Sequence, residues 1–202
     1  KLIQESAYSP FPQCRYTERT DAAALALLEG KIVVLMQGTG VILICPALFM
    51  EFLQSVEDYY HRVVFTFLIR CLRLIAFFLA LFLPSIYIAL TTFHPELIPT
   101  VLLLAITNTR EGIPFPAVVE VIIMEFFFEL LREAGIRLPQ SVGSAVSIVG
   151  ALIIGQAAID SGIASPIMVV IVALTGIASF SIPQYSFAIS LRLLKIPFII
   201  LA

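Results

Sequence analysis

Apolar and polar residues are unevenly distributed along this chain. Residues 1–62 contain nearly half of the charged residues, whereas long apolar runs dominate from Cys71 onward. A helical run of about 20 apolar residues crosses the ~30 Å hydrocarbon core of a bilayer. The pattern therefore predicts two environments, a polar part over residues 1–62 and a membrane part over residues 63–202.

The apolar runs predict a mostly α fold with a polytopic helical membrane domain. Spanning helices are expected near these ranges: 71–92, 113–131, 141–159, 167–182 and a further run from 185. Pro84 lies inside the first span and predicts a kink. The run 98–107 has about half of the spanning length, which favours a re-entrant or interfacial segment. Residues 160–166 predict a tight turn.

The polar part is predicted to be the end of a small cytoplasmic α/β domain. Residues 20–30 combine an N-cap candidate, strong helix formers and a closing glycine, which predicts a short helix. The β-branched runs 31–36 and 41–45 are joined by the glycine-containing residues 37–40, which predicts a β-hairpin. Residues 49–60 suit an amphipathic helix on the membrane surface. Its expected interfacial anchors are Phe49, Phe52, Leu53, Tyr59 and Tyr60.

The positions of lysine and arginine predict the orientation of the chain, because cytoplasmic flanks of membrane spans are enriched in these residues. Most of the cations near the predicted spans fall on one alternating set of loops: Arg62, Arg70, Arg73, Arg132, Arg137, Arg192 and Lys195. Only Arg110 falls in the opposite set. Residues 1–70 are therefore expected to be cytoplasmic, in a multi-pass integral membrane protein that contacts lipid.

Composition favours this class and excludes others. The 202 residues are 60% hydrophobic and 13% charged, whereas ordinary soluble domains have about 25% charged residues. A net charge of −2 without a lysine or arginine run argues against nucleic-acid binding. Three widely spaced cysteines predict ordinary reduced thiols: Cys14, Cys45 and Cys71. We expect no cleavable signal peptide at the start, and we expect the chain to be an internal piece of a longer protein.

Charged residues interrupt the second predicted span and its continuation: Glu120, Glu125, Glu129, Arg132 and Glu133. At about 100° per residue, the last four share one helix face and Glu120 lies on the other side. Ionisable groups at membrane depth cost several kcal/mol unless they are paired or hydrated. The face is therefore a cation-attracting pore lining or a structural ion pair between Glu129 and Arg132. Both interpretations stay open for Glu125 and Glu129, and the structural one is favoured for Arg132 and Glu133.

Small residues recur every fourth position in the third predicted span: Gly143, Ser147, Ala151 and Gly155. Such a stripe lets helix backbones approach closely, and it predicts helix packing rather than a ligand site. Gln156 is one residue beyond the stripe and is expected to donate a hydrogen bond across helices. Small and polar residues in the next span predict a second close contact: Thr175, Gly176, Ala178 and Ser179.

The chain has no recognisable catalytic or cofactor-binding set. His94 and Glu96 lie in one loop, but two ligand types from one loop do not complete a metal site. A serine–histidine–aspartate set, a cysteine–histidine set, a phosphate-binding loop and a dinucleotide fingerprint are all missing from the sequence. We therefore expect neither an enzyme nor a bound metal or cofactor.

Several blocks of residues resemble, in order, the A subunit of the GerA-type spore germination receptor family: 28–31, 51–60, 89–94, 110–117, 131–139 and 146–158. The resemblance covers the chain from about Leu28 to its end. It implies a subunit of a nutrient receptor in the inner membrane of bacterial endospores. It further implies a permease-like B subunit and a lipoprotein C subunit as partners, and a homo-oligomer that forms a ligand-gated ion channel.

Alternative functions stay open beside this channel. A scaffold that conducts no ions would use the acidic side chains only as packing ion pairs. A secondary transporter is weaker because the sequence has no evident inverted repeat, and a membrane-bound enzyme is weaker still.

Overall fold

The computed structural model describes residues 9–137 and 140–202, without the side chains of 136, 140–147 and 149. The first part contains three short strands and two α-helices: β1 Arg15–Thr17, α1 Thr20–Leu28, β2 Ile32–Leu35, β3 Ile42–Cys45 and α2 Phe49–Phe52. The rest is helical: α3 Val63–Ile88, α4 Thr100–Arg110, α5 Ala117–Arg137, α6 Gln140–Asp160, α7 Pro166–Phe180 and α8 Tyr185–Leu201.

The described chain forms two compact units. One contains the residues up to Phe78 together with Ala178–Lys195, and the other contains Leu79–Ile177 together with Ile196–Ala202. The domain boundary predicted at residue 62 stays a prediction.

The first unit contains the predicted short helix and hairpin, and both are confirmed. α1 ends before Gly30, whose φ of 79° is a conformation that glycine adopts without steric cost. β2 and β3 pair antiparallel, with Val33 opposite Ile44. The sequence did not predict β1, which pairs with the other side of β3 and gives the sheet order β1-β3-β2. Buried alanines of α1 pack against Ile42 and Ile44.

The amphipathic surface helix predicted over residues 49–60 is wrong. The segment is broken into α2 and a 3₁₀ helix, Val56–Tyr59. Phe52 and Leu53, expected as interfacial anchors, are buried. The Phe52 ring stacks on Phe187 at 5.3 Å. Phe187 is fully buried and also contacts the rings of Phe11, Phe49 and Phe77. Phe52 thus packs in a protein interior that α8 helps to build, whereas the expected anchors Phe49, Tyr59 and Tyr60 are exposed.

Helices α3, α5, α6, α7 and α8 contribute to the core of the second unit. Its buried residues are Tyr87, Ile88, Val121, Met124, Ala158, Met168, Val172 and Ile199 of these helices and Ala164 of the α6–α7 connection. The predicted turn lies between α6 and α7 and includes Gly162, with a φ of 68°. The short run at 98–107 forms α4.

One helical stretch within residues 9–137 and 140–202 is long and apolar enough to cross a membrane: Val63–Phe93, which is α3 continued by the π-helix Ala89–Phe93. It begins eight residues before the predicted span, so Arg70 and Arg73 lie inside the helix and not beside it. Gly150–Asp160 and Pro166–Phe180 are shorter apolar helices. Membrane crossing by the remaining helices stays a prediction.

Candidate functional site

A carboxylate is completely buried in the second unit. Glu120, in the first turn of α5, has no exposed surface. Its Oε1 accepts hydrogen bonds from the backbone N–H of Ser165 at 2.5 Å and from the Ser165 hydroxyl at 2.6 Å. A buried ionised carboxylate is tolerated only when it is paired and hydrogen-bonded, so these contacts are what keep Glu120 in the interior.

Ser165 is well suited to hold an anion because it begins a helix. It is the residue before Pro166, the first residue of α7, and its hydroxyl accepts a hydrogen bond from the N–H of Met168 at 3.3 Å. Serine at the N-cap followed by proline is a common helix start. The N-terminal end of a helix carries a partial positive charge, which stabilises the Glu120 carboxylate beside it.

A cation and a phenol complete the cluster. Arg110, at the end of α4, has its Nη2 atom 3.7 Å from Glu120 Oε2. Tyr87, near the end of α3, is buried and close enough to experience the charges of Arg110 and Glu120. We call these four residues the Glu120 cluster: Tyr87, Arg110, Glu120 and Ser165.

The Glu120 cluster brings together residues of α3, α4, the start of α5 and the α6–α7 turn around the Glu120 carboxylate. Among the residues described, Glu120 Oε2 accepts no hydrogen bond, and its nearest cation is the Arg110 guanidinium at 3.7 Å. Because one carboxylate oxygen is fully bonded and the other is only loosely paired, small movements of Arg110 would change the electrostatic environment of Glu120.

The other acids of α5 are less buried than Glu120. Glu125 is half-buried, and the Glu129 side chain is 48% exposed. The pore lining predicted for Glu125 and Glu129 stays a prediction. Arg132 is buried, with Nη1 at 3.6 Å from Glu129 Oε2 and its guanidinium 4.9 Å from the centre of the Phe128 ring. The structure therefore contains the Glu129–Arg132 pair that the i,i+3 spacing suggested. Glu133 pairs instead with Arg137 at 2.5 Å.

The small-residue stripe of α6 is described only in part. Gly143 and Ser147 lie outside the described side chains. Ala151 is exposed and Gly155 is buried. A Cβ atom added to Gly155 would lie 3.6 Å from the Val169 side chain of α7. The hydrogen bond expected from Gln156 across helices is instead made inside α6, to Asp160 Oδ1 at 2.9 Å. Packing of another helix against this stripe stays a prediction.

The close contact predicted at Gly176 is present in the structure. A Cβ atom added to this residue would lie 2.2 Å from the Phe128 ring of α5. Only glycine therefore lets α7 approach the aromatic face of α5 so closely.

The first unit has its own buried charge. Asp58 is almost fully buried and accepts hydrogen bonds from the Arg73 guanidinium and from the N–H of Ser55. Burial alone would raise the pKa of the Asp58 carboxyl, but the bonds from Arg73 and Ser55 outweigh burial and hold this pKa below its ordinary value. Arg70 adds a weaker contact, with Nε at 3.7 Å from Asp58.

Sequence reasoning singled out Glu120 but missed its partners. Ser165-Pro166 carried a visible helix-start signal, whereas Arg110 and Tyr87 lie too far along the chain for any spacing rule to connect them with Glu120. Asp58 and Arg73 were missed for the same reason, since one was assigned to a surface helix and the other to a membrane flank.

Comparison with known proteins gives consistent results. A family described as Bacillus/Clostridium GerA spore germination protein matches residues 1–202. Spore germination protein KA of Bacillus subtilis (strain 168) is 56% identical over 200 residues, which cover 99% of this chain and 37% of that protein. The uncharacterized membrane protein YfkQ of the same strain is 50% identical over 202 residues, covering 100% of this chain and 39% of YfkQ.

A relative from another species has similar coverage. Spore germination protein GerLA of Bacillus cereus is 46% identical over 202 residues, covering 100% of this chain and 41% of that protein. The chain thus spans about two fifths of the length of these relatives. No solved structure matches the chain.

Proposed function

The chain belongs to the GerA family of spore germination proteins, and we propose that it forms the membrane-embedded part of a germinant receptor A subunit. In this role it takes part in the response that ends bacterial spore dormancy when nutrients appear. The spore germination proteins among its relatives support this assignment, and the family match extends over the whole of this chain.

The apolar surface of α3 supports membrane insertion. Large hydrophobic side chains on this helix are strongly exposed, among them Val63 at 84%, Phe67 at 66% and Leu72 at 64%. Such a surface is costly in water and favourable in lipid. A relative with 50% identity carries the name of a membrane protein. We propose a multi-pass protein of the inner spore membrane with its N-terminal part in the cytoplasm.

We further propose that the receptor conducts ions and that α5 contributes to the conduction path. The observation that carries this proposal is the division of acids on α5: Glu120 is sealed in the interior, whereas Glu129 is 48% exposed and Glu125 half-buried. Rings of acidic side chains attract cations in channels. Exposed carboxylates on an apolar helix need water or protein beside them, which several copies of α5 around a common axis would supply.

The partners follow from this assignment. A homo-oligomer of A subunits would place the outward acids of α5 around one path. A permease-like B subunit would bind the nutrient, and a lipoprotein C subunit would complete the receptor.

A scaffold without conduction is the second candidate, and one observation favours it. Arg132 lies 3.6 Å from Glu129 and is itself buried against Phe128. A paired carboxylate of this kind needs no pore to explain it.

Ion flux distinguishes the two candidates. Liposomes containing the full-length A subunit with its receptor partners are loaded with potassium, and nutrient-triggered flux and cation selectivity are measured. Glu125→Gln and Glu129→Gln should lower the selectivity for cations, because each removes a negative charge from the path. Glu111→Gln removes a charge from an exposed residue after α4, and it is the matched control.

Unchanged flux and selectivity in both α5 variants would remove these acids from conduction and favour the scaffold. In that case, a Glu129→Gln and Arg132→Gln double variant should restore the assembly that each single variant loses.

A further inference from the structure

Two cysteines lie side by side in the three-stranded sheet. β1 pairs antiparallel with β3, with Arg15 opposite Ile44. Continuing this register by one residue places Cys14 directly opposite Cys45, the last residue of β3. Their side chains consequently lie on the same face of the sheet.

The spacing of directly opposite residues suits a disulfide. Cα atoms of such pairs are about 4.5 or 5.5 Å apart in an antiparallel ladder, and disulfides join Cα atoms about 4.4–6.8 Å apart. Both cysteines are free thiols and both are buried, with Cys14 3% and Cys45 8% exposed. The Cys14 thiol is close enough to contribute to the raised pKa of Cys45. The two cysteines are therefore neighbours in the reduced fold.

We propose that Cys14 and Cys45 form a reversible dithiol–disulfide site that reacts with peroxides or with low-molecular-weight disulfides. With a peroxide, the thiolate of one cysteine attacks an oxygen atom to give a sulfenic acid, and water or an alcohol leaves. The second thiol then displaces hydroxide from the sulfenic sulfur, which forms the S–S bond and releases water. With a small disulfide, two successive exchanges form the same bond and release two small thiols. The two sulfur atoms together lose two electrons and two protons.

The position of β1 explains how an oxidant reaches a buried pair. β1 is a three-residue strand at the edge of the sheet, and short edge strands open locally at low free-energy cost. Opening exposes one thiol, and closure brings it back against the other. The ladder thus favours the Cys14–Cys45 bond over adducts on single cysteines.

The surroundings of the two thiols also determine how their oxidation depends on pH. Burial, together with the contact with Cys14, raises the pKa of Cys45 to about 11. Because the thiolate is the reactive form, oxidation should be slow at neutral pH and should rise by about tenfold per pH unit above it. This site is independent of ion conduction, so its failure would leave the proposed function untouched.

The test uses full-length protein in isolated membranes. The membranes are treated with hydrogen peroxide or with oxidised glutathione, free thiols are blocked with N-ethylmaleimide, and the digested protein is analysed by mass spectrometry without reduction. We expect a linked peptide pair, two hydrogens lighter than the sum of its parts, that joins Cys14 to Cys45. Both should lose their maleimide label while Cys71 keeps it, and dithiothreitol should restore both labels.

Cys71 supplies the matched control. Cys71→Ser should leave the Cys14–Cys45 bond unchanged, whereas Cys45→Ser should abolish it and leave Cys14 as a mixed disulfide with glutathione. Protein oxidised in denaturant should give links to Cys71 as well, which separates fold-directed pairing from random pairing. Three results would overturn the proposal: links to Cys71 as the main product of native protein, bonds between copies as the main product, or full maleimide labelling of Cys14 and Cys45 under conditions that oxidise Cys71.

Discussion

Arg73 of α3 holds Asp58 through both oxygens of its carboxylate, with Nη1 at 2.8 Å from Oδ2 and Nη2 at 3.2 Å from Oδ1. The same Nη1 atom donates to the backbone oxygen of Leu53 at 2.7 Å. The segment before α3 is therefore bonded to a position inside the helix, nearly three turns beyond its first residue. A guanidinium held at three points fixes the direction in which this segment meets the helix.

Breaking this buried pair should destabilise the protein strongly. Asp58→Asn and Arg73→Met each leave one buried partner uncompensated, at a cost of about 3–5 kcal/mol. The double variant should cost clearly less than the sum, because it leaves no lone charge. Thermal unfolding of the full-length protein in detergent measures all three variants. Additive effects would show that the two residues act separately.

Acid should weaken the same contact. The pKa of Asp58 is lower in the fold than its unfolded value of about 3.9. Its contribution to stability is therefore complete above that value and is lost as the pH falls through the lower folded pKa. The unfolding temperature of the wild type should drop from pH 5 to pH 3 more steeply than that of Asp58→Asn.

Asp21→Asn is the control for this acid response. The exposed Arg19 and Tyr60 contacts also lower the pKa of Asp21, but exposed pairs contribute little to stability. The pH response of this variant should resemble that of the wild type. If Asp58→Asn were as acid-sensitive as the wild type, Asp58 would not be the group that titrates.

Substitution of Glu120 should destabilise the protein more than substitution of Glu125 or Glu129, the other acids within the apolar run of α5. Glu120→Ala removes the acceptor of the Ser165 N–H and the partner of Arg110, and leaving a buried donor unbonded costs about 1–3 kcal/mol before the charge is counted. Glu120→Gln keeps an acceptor for Ser165 and should lose less. In detergent unfolding and in the amount of protein in the membrane fraction, the wild type should rank highest, Glu120→Gln second and Glu120→Ala lowest.

Glu111→Gln should match the wild type in this experiment, since Glu111 is exposed. Equal stability of Glu120→Ala and wild type would mean that the Glu120 cluster does not hold the unit together.

Gly176 should tolerate no larger side chain. Its added Cβ meets the Phe128 ring at 2.2 Å, so Gly176→Ala forces the ring to move at a cost of about 1–3 kcal/mol. Gly155→Ala is the matched control, because its Cβ would meet Val169 at an ordinary 3.6 Å. Adding Phe128→Leu to Gly176→Ala should recover part of the loss in detergent stability. A Gly176→Ala protein as stable as Gly155→Ala would contradict this packing.

The proposed membrane topology predicts opposite labelling of two groups of residues. Single cysteines at Glu96 and Asp160 should react with a membrane-impermeant maleimide from the side opposite to a cysteine at Arg137, in a background where the native cysteines are serine. These three positions are exposed, whereas Arg110 and Arg132 are engaged in ion pairs and would be poor reporters. Labelling of positions 137 and 160 from the same side would exclude a membrane crossing by α6, which lies between them.

The local elements were predictable where a few adjacent residues decide them. The helix now seen at Thr20–Leu28 and the hairpin of β2 and β3 follow from glycine placement and β-branched runs. β1 escaped prediction because three residues contain too little periodicity to identify a strand. The surface helix over 49–60 failed because its apolar pattern is satisfied by Phe187, which lies more than a hundred residues later and cannot be anticipated from local spacing.

The amino-acid sequence alone is enough to establish the composition of each segment, the relative angles of the α5 acids and the family to which the chain belongs. Angles along a helix follow from 3.6 residues per turn and require no knowledge of neighbours. Which acid is buried depends instead on packing, because Ser165 reaches Glu120 from the α6–α7 connection and Arg110 reaches it from the end of α4. The tertiary structure likewise decided that Cys14 faces Cys45 and that Arg73 reaches Asp58, since contacts between separated residues exist only once the helices and strands have packed.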